Sequence, residues 1–362
     1  MSKSNQWTVE DMPNQAGKIA IVTGGNSGLG YETVLALAGK GAHVVLACRN
    51  LDKGNQARAR VLAQAPQASV EVMALDLSSL ASIRAFAEAY SARYDKLHLL
   101  INNAGVMAPP RQETADGFEL QFGTNHLGHF ALTGLLIDLI ARAPGSRIVN
   151  VTSSAQYFGT INFDDLHSEQ AYSRYGAYNQ SKLANVLFTF ELQRRLEATG
   201  IEAISAAAHP GFSTTNLQKA TVSVSEARLE GLLYGLMMPL VAQSQVQGAL
   251  PQLYAATMPD VKGGDHFAPD GFMEIRGYPT RKPAAKAAYN EADAKRLWEV
   301  SETLTGVRYL PPTNTIDSGT LNGALSGAIL EPSPVILQLT KSNKPGERPN
   351  QGPLTSSQTI YQ

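Results

Sequence analysis

From Lys18 onward the chain alternates short apolar runs with stretches of helical spacing, and this alternation restricts the fold more than any other feature. Lys18-Ile19-Ala20-Ile21-Val22-Thr23 is a continuous hydrophobic run that stops at glycines, the pattern of a strand buried on both faces. Further strands are predicted at residues 43–48, 70–75, 97–101, 147–152 and 201–207. Helices are predicted between them at 31–40, 51–64, 79–94, 125–142 and 178–199, with Gly41 and Gly200 at helix-ending positions. Strands separated by helices and short turns pair in parallel and need cover on both faces. With right-handed crossovers, the expected fold is α/β, a doubly wound parallel sheet of the Rossmann type.

The rhythm breaks after Pro210. Residues 213–244 are apolar and methionine-rich, with Leu232, Leu233, Tyr234, Leu236, Met237 and Met238 ahead of Pro239. A helix at 245–257, a strand at 266–268 and a last helix at 291–305 are predicted beyond it. Pro, Gly, Ser, Thr and Asn dominate from Pro311, so residues 311–362 are expected to be a disordered tail. Residues 1–15 are expected as an N-terminal arm and 16–306 as a single domain.

Composition removes several classes of function. Thirty Lys and Arg face 31 Asp and Glu, giving a net charge of −1 with no basic block, which argues against a nucleic-acid partner. The single cysteine, Cys48, excludes an internal disulfide framework or a cysteine zinc site, and its apolar strand makes it a small buried hydrophobe. The first residues, MSKSNQWTVEDMPNQ, have no apolar signal core. The longest apolar stretch, about residues 232–242, is far short of the ~20 residues of a membrane span. A cytoplasmic protein without a membrane span is expected.

The turn after the first strand reads Thr23-Gly24-Gly25-Asn26-Ser27-Gly28-Leu29-Gly30. Backbone N–H groups and the helix dipole at such a turn face an anion, and missing Cβ atoms let a pyrophosphate approach. The Gly-x3-Gly-x-Gly spacing differs from the common Gly-x-Gly-x2-Gly pattern, but its place between strand and helix points to a dinucleotide. Thr23, Gly24, Asn26, Ser27, Gly28, Leu29 and Gly30 are the candidate contacts. At the end of the second strand Arg49 stands where an NAD enzyme would carry an acid, and its fork suits a 2′-phosphate. NADP(H) is therefore expected over NAD(H), which stays open because Asn26 and Ser27 are uncharged. Asp76, with Leu77 beside it, can accept from the adenine amino group or cap the next helix.

Four further signals follow in order: Asn102-Asn103-Ala104-Gly105, Asn125-His126-Leu127-Gly128, Thr152-Ser153-Ser154, and Tyr178-Asn179-Gln180-Ser181-Lys182. Tyr178 and Lys182, four residues apart, share a helix face. An ammonium beside a phenol favours phenolate and is expected to lower its pKa from about 10 toward the working range. Ser153 or its neighbour Ser154 can hydrogen-bond a substrate oxygen and orient it. Tyr172 and Tyr175 have no lysine four residues on, and His126, His129 and His209 lack metal-ligand spacing, so no metal is expected.

Together these residues resemble the short-chain dehydrogenase/reductase superfamily over about residues 16–306. Asn125-His126-Leu127-Gly128-His129-Phe130, Ser181-Lys182-Leu183-Ala184-Asn185 and His209-Pro210-Gly211 resemble its retinol dehydrogenase and protochlorophyllide reductase-like branch. The resemblance implies a catalytic set of Asn125, Ser153, Tyr178 and Lys182. Asn125 would anchor a water leading to Lys182, and Lys182 would also hold the nicotinamide ribose. Asn103, Ala104, Gly105, Pro210 and Gly211 would border the cofactor, and residues 213–244 would form a substrate lid. It implies hydride transfer between a nicotinamide cofactor, here NADP(H), and a carbonyl or alcohol, in a chain that can form a homo-oligomer; the soft apolar surface of Leu232, Leu233, Tyr234, Leu236, Met237 and Met238 points to a lipophilic substrate. The alternative, a catalytically silent nucleotide-binding regulator, predicts a broken set of four, and all four are intact.

Overall fold

The apolar runs assemble into one eight-stranded sheet in the order β3-β2-β1-β4-β5-β6-β7-β8. The strands are β1 (Ile19–Thr23), β2 (His43–Cys48), β3 (Ser69–Ala74), β4 (Leu99–Asn102), β5 (Ser146–Val151), β6 (Ala203–Ala208), β7 (His266–Pro269) and β8 (Pro279–Arg281). All neighbours pair in parallel except β7 and β8, which are antiparallel. The computed structural model describes residues 6–212 and 243–311. The expected lid at 213–244 lies outside the described residues except for Gln243 and Ser244, and so does the expected tail beyond Pro311.

Eight described helices cover the sheet: α1 (Gly28–Gly39), α2 (Leu51–Gln64), α3 (Leu80–Ser91), the single turn α4 (Leu120–Phe122), α5 (Gly128–Ala141), α6 (Arg174–Ala198), α7 (Gln245–Thr257) and α8 (Glu291–Thr305). Successive strand residues feed opposite faces, as the two-residue period of a strand requires. Ala20 and Val22 pack with Val34 and Leu37 of α1 and Leu250 and Leu253 of α7. Ile21 packs on the other face with Phe86 of α3, Leu132 and Leu136 of α5 and Leu192 of α6.

Side-chain caps fix most helix starts. Asn50, Ser79, Ser173, Ser244 and Asn290 each accept a backbone N–H from the first turn of α2, α3, α6, α7 and α8. Ser27 occupies the same place before α1, yet its side chain takes no such bond.

Three local features depart from the pattern reading. The helix expected at 125–142 is interrupted: Gly123–Leu127 is a π-helical turn, and α5 begins only at Gly128. Helix α6 starts at Arg174, four residues before Tyr178, because Ser173 caps it. The three-residue edge strand β8 is too short for a periodic signal. At the two ends of the domain, Trp7 and Met12 are buried in the core, with Trp7 Nε1 donating to Met258 Sδ. Val307 and Tyr309 pack on Phe130 and Trp298, and a Cβ on Gly134 would strike the Tyr309 ring.

Candidate active site

The order of the sheet reverses between β1 and β4, and the carboxyl ends of these strands form the crevice where a doubly wound sheet takes its ligand. The glycine loop lies there. Gly24 has φ +67°, and a Cβ on it would come within 3.1 Å of Ala104. A Cβ on Gly30 would collide with the Gly24 carbonyl oxygen and stand 2.6 Å from Asn103 Nδ2. The loop is thus closed down onto the end of β4 in a way only glycines permit. Gly28 opens α1, whose first-turn N–H groups have no capping side chain from Ser27. That combination, uncapped donors behind a loop rich in glycine, fits a pyrophosphate. Asn26, Ser27 and Leu29 are half-buried on the same loop.

Thr23 pins the loop to its neighbours. Its buried Oγ1 accepts the backbone N–H groups of Asn103 and Ala104, both at 2.9 Å, and lies 3.0 Å from His129 Nε2. His129 Nδ1 lies 2.9 Å from the Asn125 carbonyl, which can only accept, so the ring proton sits on Nδ1. Nε2 therefore accepts from the Thr23 hydroxyl, and the threonine uses its one proton and both lone pairs. Burial, ahead of other causes, depresses His129 to about 4, so the ring stays neutral at physiological pH. The Asn103 side chain is engaged within the fold: Nδ2 donates to Thr23 O at 2.8 Å and Oδ1 accepts from Gln252. Asn102 is buried and donates to Thr133 and Asn150.

Arg49 is exposed directly after β2. Asp76 is half-buried; its Oδ1 accepts from the Ser78 backbone N–H at 3.0 Å and hydroxyl at 2.6 Å, while Ser79 caps α3. The capping alternative for Asp76 is thereby replaced by a local turn around Ser78. The Leu77 carbonyl lies where a Cβ on Gly128 would approach to 2.5 Å.

The four residues of the expected catalytic set converge at the ends of β4 and β5 and on α6. Ser153, half-buried, faces the Tyr178 phenol and accepts the Ala155 N–H at 3.3 Å at the start of the turn Ser154–Phe158. Ser154 beside it is exposed. Lys182 is 4% exposed; its Nζ donates to Val151 O at 3.1 Å and lies 5.7 Å from the centre of the Tyr178 ring. Thr152 donates to Lys182 O, which ties β5 to α6. Gly105 faces both Asn125 and Lys182, at 3.1 and 3.6 Å from its would-be Cβ.

One expectation changes here. Burial pushes the Tyr178 phenol up to about 12, partly offset by the Ser153 hydrogen bond, so desolvation outweighs the ammonium that was expected to lower it. Burial also pulls Lys182 down to about 8. Asn125 is fully buried, and its side chain is saturated: Oδ1 accepts from Val106 N–H, and Nδ2 donates to Val106 O and Ser181 Oγ. It thereby binds the loop after β4 to the helix of Tyr178, and the π-helical turn sets it at that position.

Pro210 and Gly211 follow β6. Gly211 donates to His209 Nδ1, and Pro210 O accepts from Gln243. Tyr172 donates to Pro109 O and accepts from Gln121, while Tyr175 is exposed. The sequence reading missed His129, Gln252, Tyr157 and Glu274 as supports of the site. The i, i+4 spacing of Asn125 and His129 is the one signal that could have exposed the first. A cavity of about 530 Å³ lies apart from all these residues, lined in part by Trp7, Asp11, Tyr254, Asp260, Asp270 and Arg281. Its carboxylates are already engaged by Thr8, Tyr254, Tyr278 and Arg281, so we assign it no part in the chemistry.

The short chain dehydrogenase family model matches residues 18–225. The chain belongs to the short-chain dehydrogenase/reductase family and is an NAD(P)-dependent oxidoreductase. Its relatives place it in the retinol dehydrogenase-like branch. It is 43% identical to human (Homo sapiens) retinol dehydrogenase 12 over 293 residues, 81% of this chain and 88% of that one. To mouse (Mus musculus) retinol dehydrogenase 11 it is 42% identical, covering 80% of this chain and 87% of the relative. A crystal structure of an uncharacterized protein from Mycobacterium Paratuberculosis superimposes with a TM-score of 0.69 at 40% identity, covering 85% of this chain and 100% of that one. The fold is shared with a Shigella flexneri short chain dehydrogenase complexed with NADP (TM-score 0.55, 19% identity, 71% and 98% coverage). Among the described residues no helix is long and apolar enough to cross a membrane.

Proposed function

We propose that this chain is an NADP(H)-preferring reductase of lipophilic aldehydes or ketones, with Tyr178 as proton donor. The observation that carries the chemistry is the buried Tyr178–Lys182 pair, with Nζ 5.7 Å from the ring centre and Ser153 beside the phenol. Arg49 supports the 2′-phosphate preference, since it is a fork of donors held at the end of β2 with no acid in its place. The relatives are named for retinol, an apolar alcohol, which supports a lipophilic substrate here. Buried, reduced Cys48 goes with a cytoplasmic setting.

When bound, NADPH supplies the hydride. The glycine loop and the first turn of α1 would hold its pyrophosphate, Arg49 its 2′-phosphate, Asp76 its adenine through the carboxylate, and Leu77, Asn103, Ala104, Gly105, Pro210 and Gly211 would flank it. Ser153 Oγ orients the substrate oxygen. Tyr178 Oη then gives its proton to that oxygen. A phenol held near 12 is in its acid form at neutral pH, the form that reduction requires. The Lys182 ammonium stabilises the phenolate left behind, and Asn125 holds the β4 loop against α6 and would anchor the relay water that the resemblance implies.

The test compares NADPH with NADH across a panel of aldehydes and ketones, using wild type and Tyr178→Phe. Wild type should turn over apolar carbonyl compounds with NADPH. Tyr178→Phe should bind NADPH normally and lose roughly 10²–10⁴-fold in kcat. Normal turnover by that variant removes Tyr178 from its role, and activity confined to small charged carbonyl compounds refutes the substrate class.

A further inference from the structure

One carboxylate joins three segments beside the catalytic set. Glu274 Oε2 accepts from His209 Nε2 at 3.0 Å, and its two oxygens lie 3.1 and 3.3 Å from the Tyr157 hydroxyl. Tyr157 is four residues beyond Ser153, in the short helical turn that Ser153 caps. His209 is buried directly after β6, and its Nδ1 accepts the Gly211 N–H at 3.0 Å. That bond leaves the ring proton on Nε2, facing Glu274. The loop carrying Glu274 also accepts the Phe212 N–H at Ile275 O, at 2.7 Å.

The backbone of this loop is strained. Met273 and Glu274 are consecutive non-glycine residues with φ of 50° and 57°, and each lies in the left-handed region. Such conformations persist where the surroundings over-determine them, and they gather at functional sites. Here the carboxylate bonds supply that constraint. Burial would raise the Glu274 carboxyl, but the hydrogen bonds from His209 Nε2 and the Tyr157 hydroxyl outweigh it and hold the group below its ordinary pKa.

We propose that Glu274 is a positioning residue for the reaction: it fixes the distance between the Ser153 turn and the Pro210–Gly211 turn. Ser153 holds the substrate oxygen and Pro210–Gly211 borders the cofactor in the proposed function, on which this inference rests. The two turns belong to different strands, β5 and β6, and Glu274 bridges them from a third segment. Misplacement by about 1 Å between reacting groups can cost on the order of 10²-fold in rate.

The experiment measures kcat, KM for NADPH and melting temperature with decanal as substrate, for Glu274→Ala, Glu274→Gln, Tyr157→Phe and the Tyr157→Phe/Glu274→Ala double variant. The alanine variant should lower kcat on the order of 10–100-fold and leave the NADPH KM within about twofold. Glutamine keeps one acceptor oxygen and should recover a measurable part of the loss. Tyr157→Phe should fall between wild type and Glu274→Ala, since the hydroxyl also lies 3.0 Å from Pro283 O. The double variant should be no slower than Glu274→Ala, because both changes cut the same link. A lowered melting temperature with unchanged kcat, or losses that multiply in the double variant, overturns the proposal. Should wild type reduce no carbonyl compound at all, the proposed function fails, and the link is read instead by amide hydrogen exchange. Glu274→Ala must then speed exchange at Gly211 and Phe212 about tenfold; unchanged rates there overturn it.

Discussion

Replacing Lys182 with methionine should make the protein more stable at neutral pH while abolishing its turnover. Lys182 is 4% exposed, donates to Val151 O, and forms no ion pair among the described residues. Burial alone moves its pKa from the ordinary 10.5 to about 8. At about 1.4 kcal/mol per pH unit, holding the ammonium in the fold at pH 7 costs about 3 kcal/mol. Methionine fills nearly the same volume without charge, and the Val151 carbonyl keeps Asn185 as a donor at 3.4 Å. Loss of the Lys182 hydrogen bond takes back about 1 kcal/mol, so a gain of about 2 kcal/mol is expected at pH 7. The sign of the pH dependence follows from the depressed native pKa. Below pH 8 both states are protonated and wild type carries the whole cost. Between 8 and 10.5 the unfolded chain holds a proton that the native chain has released, so wild-type stability rises relative to the variant. Over pH 7 to 9.5 the gap should narrow by about 2 kcal/mol. Urea unfolding of both proteins at the two pH values, without added nucleotide, measures it. A variant less stable than wild type at pH 7, or a gap independent of pH, refutes the reading of Lys182 as a buried, uncompensated charge.

Three further outcomes are expected. Gly30→Ala should weaken NADPH binding at least about tenfold by forcing Gly24 and Asn103 apart, whereas Gly39→Ala, with nothing within 4 Å of its Cβ, should leave affinity unchanged; fluorescence titration separates them. Arg49→Ala should raise the NADPH KM by about tenfold and the NADH KM by less than about twofold, and equal effects on both would remove Arg49 from the 2′-phosphate. Thr23→Val leaves the Asn103 and Ala104 N–H groups and His129 Nε2 without their shared partner and should cost about 1–3 kcal/mol, which Thr23→Ser should restore in a thermal melt.

Much of this architecture was legible in the sequence because each buried strand is a continuous apolar run and most helices start at a capping residue. The helix at 51–64 follows Asn50 and the one at 291–305 follows Asn290, and both begin where the structure begins them. The glycine loop and the Tyr178–Lys182 pair were legible because their geometry is set within a few residues. The π-helical turn was not. No proline marks Gly123–Leu127, and the contacts made there, Asn125 to Val106 and Ser181, reach residues 19 and 56 positions away. The Tyr178 phenol was misjudged for a related reason: spacing reveals a neighbouring charge but not the burial that outweighs it. Glu274 left no signal, because its partners His209 and Tyr157 are 65 and 117 residues distant.

Helix α6 carries more than its proton-handling residues. Arg195 on the same helix stacks on Trp298, pairs with Glu191 and donates to the Leu310 carbonyl. Thirteen residues of helix, about 20 Å at 1.5 Å per residue, separate that grip from Lys182. A load applied at Pro311, the last described residue, as by a pull in an optical trap, enters the enzyme through Leu310 and Tyr309. It is delivered to the rod on which Tyr178 is mounted, so turnover under tension reports on how rigidly that rod is seated.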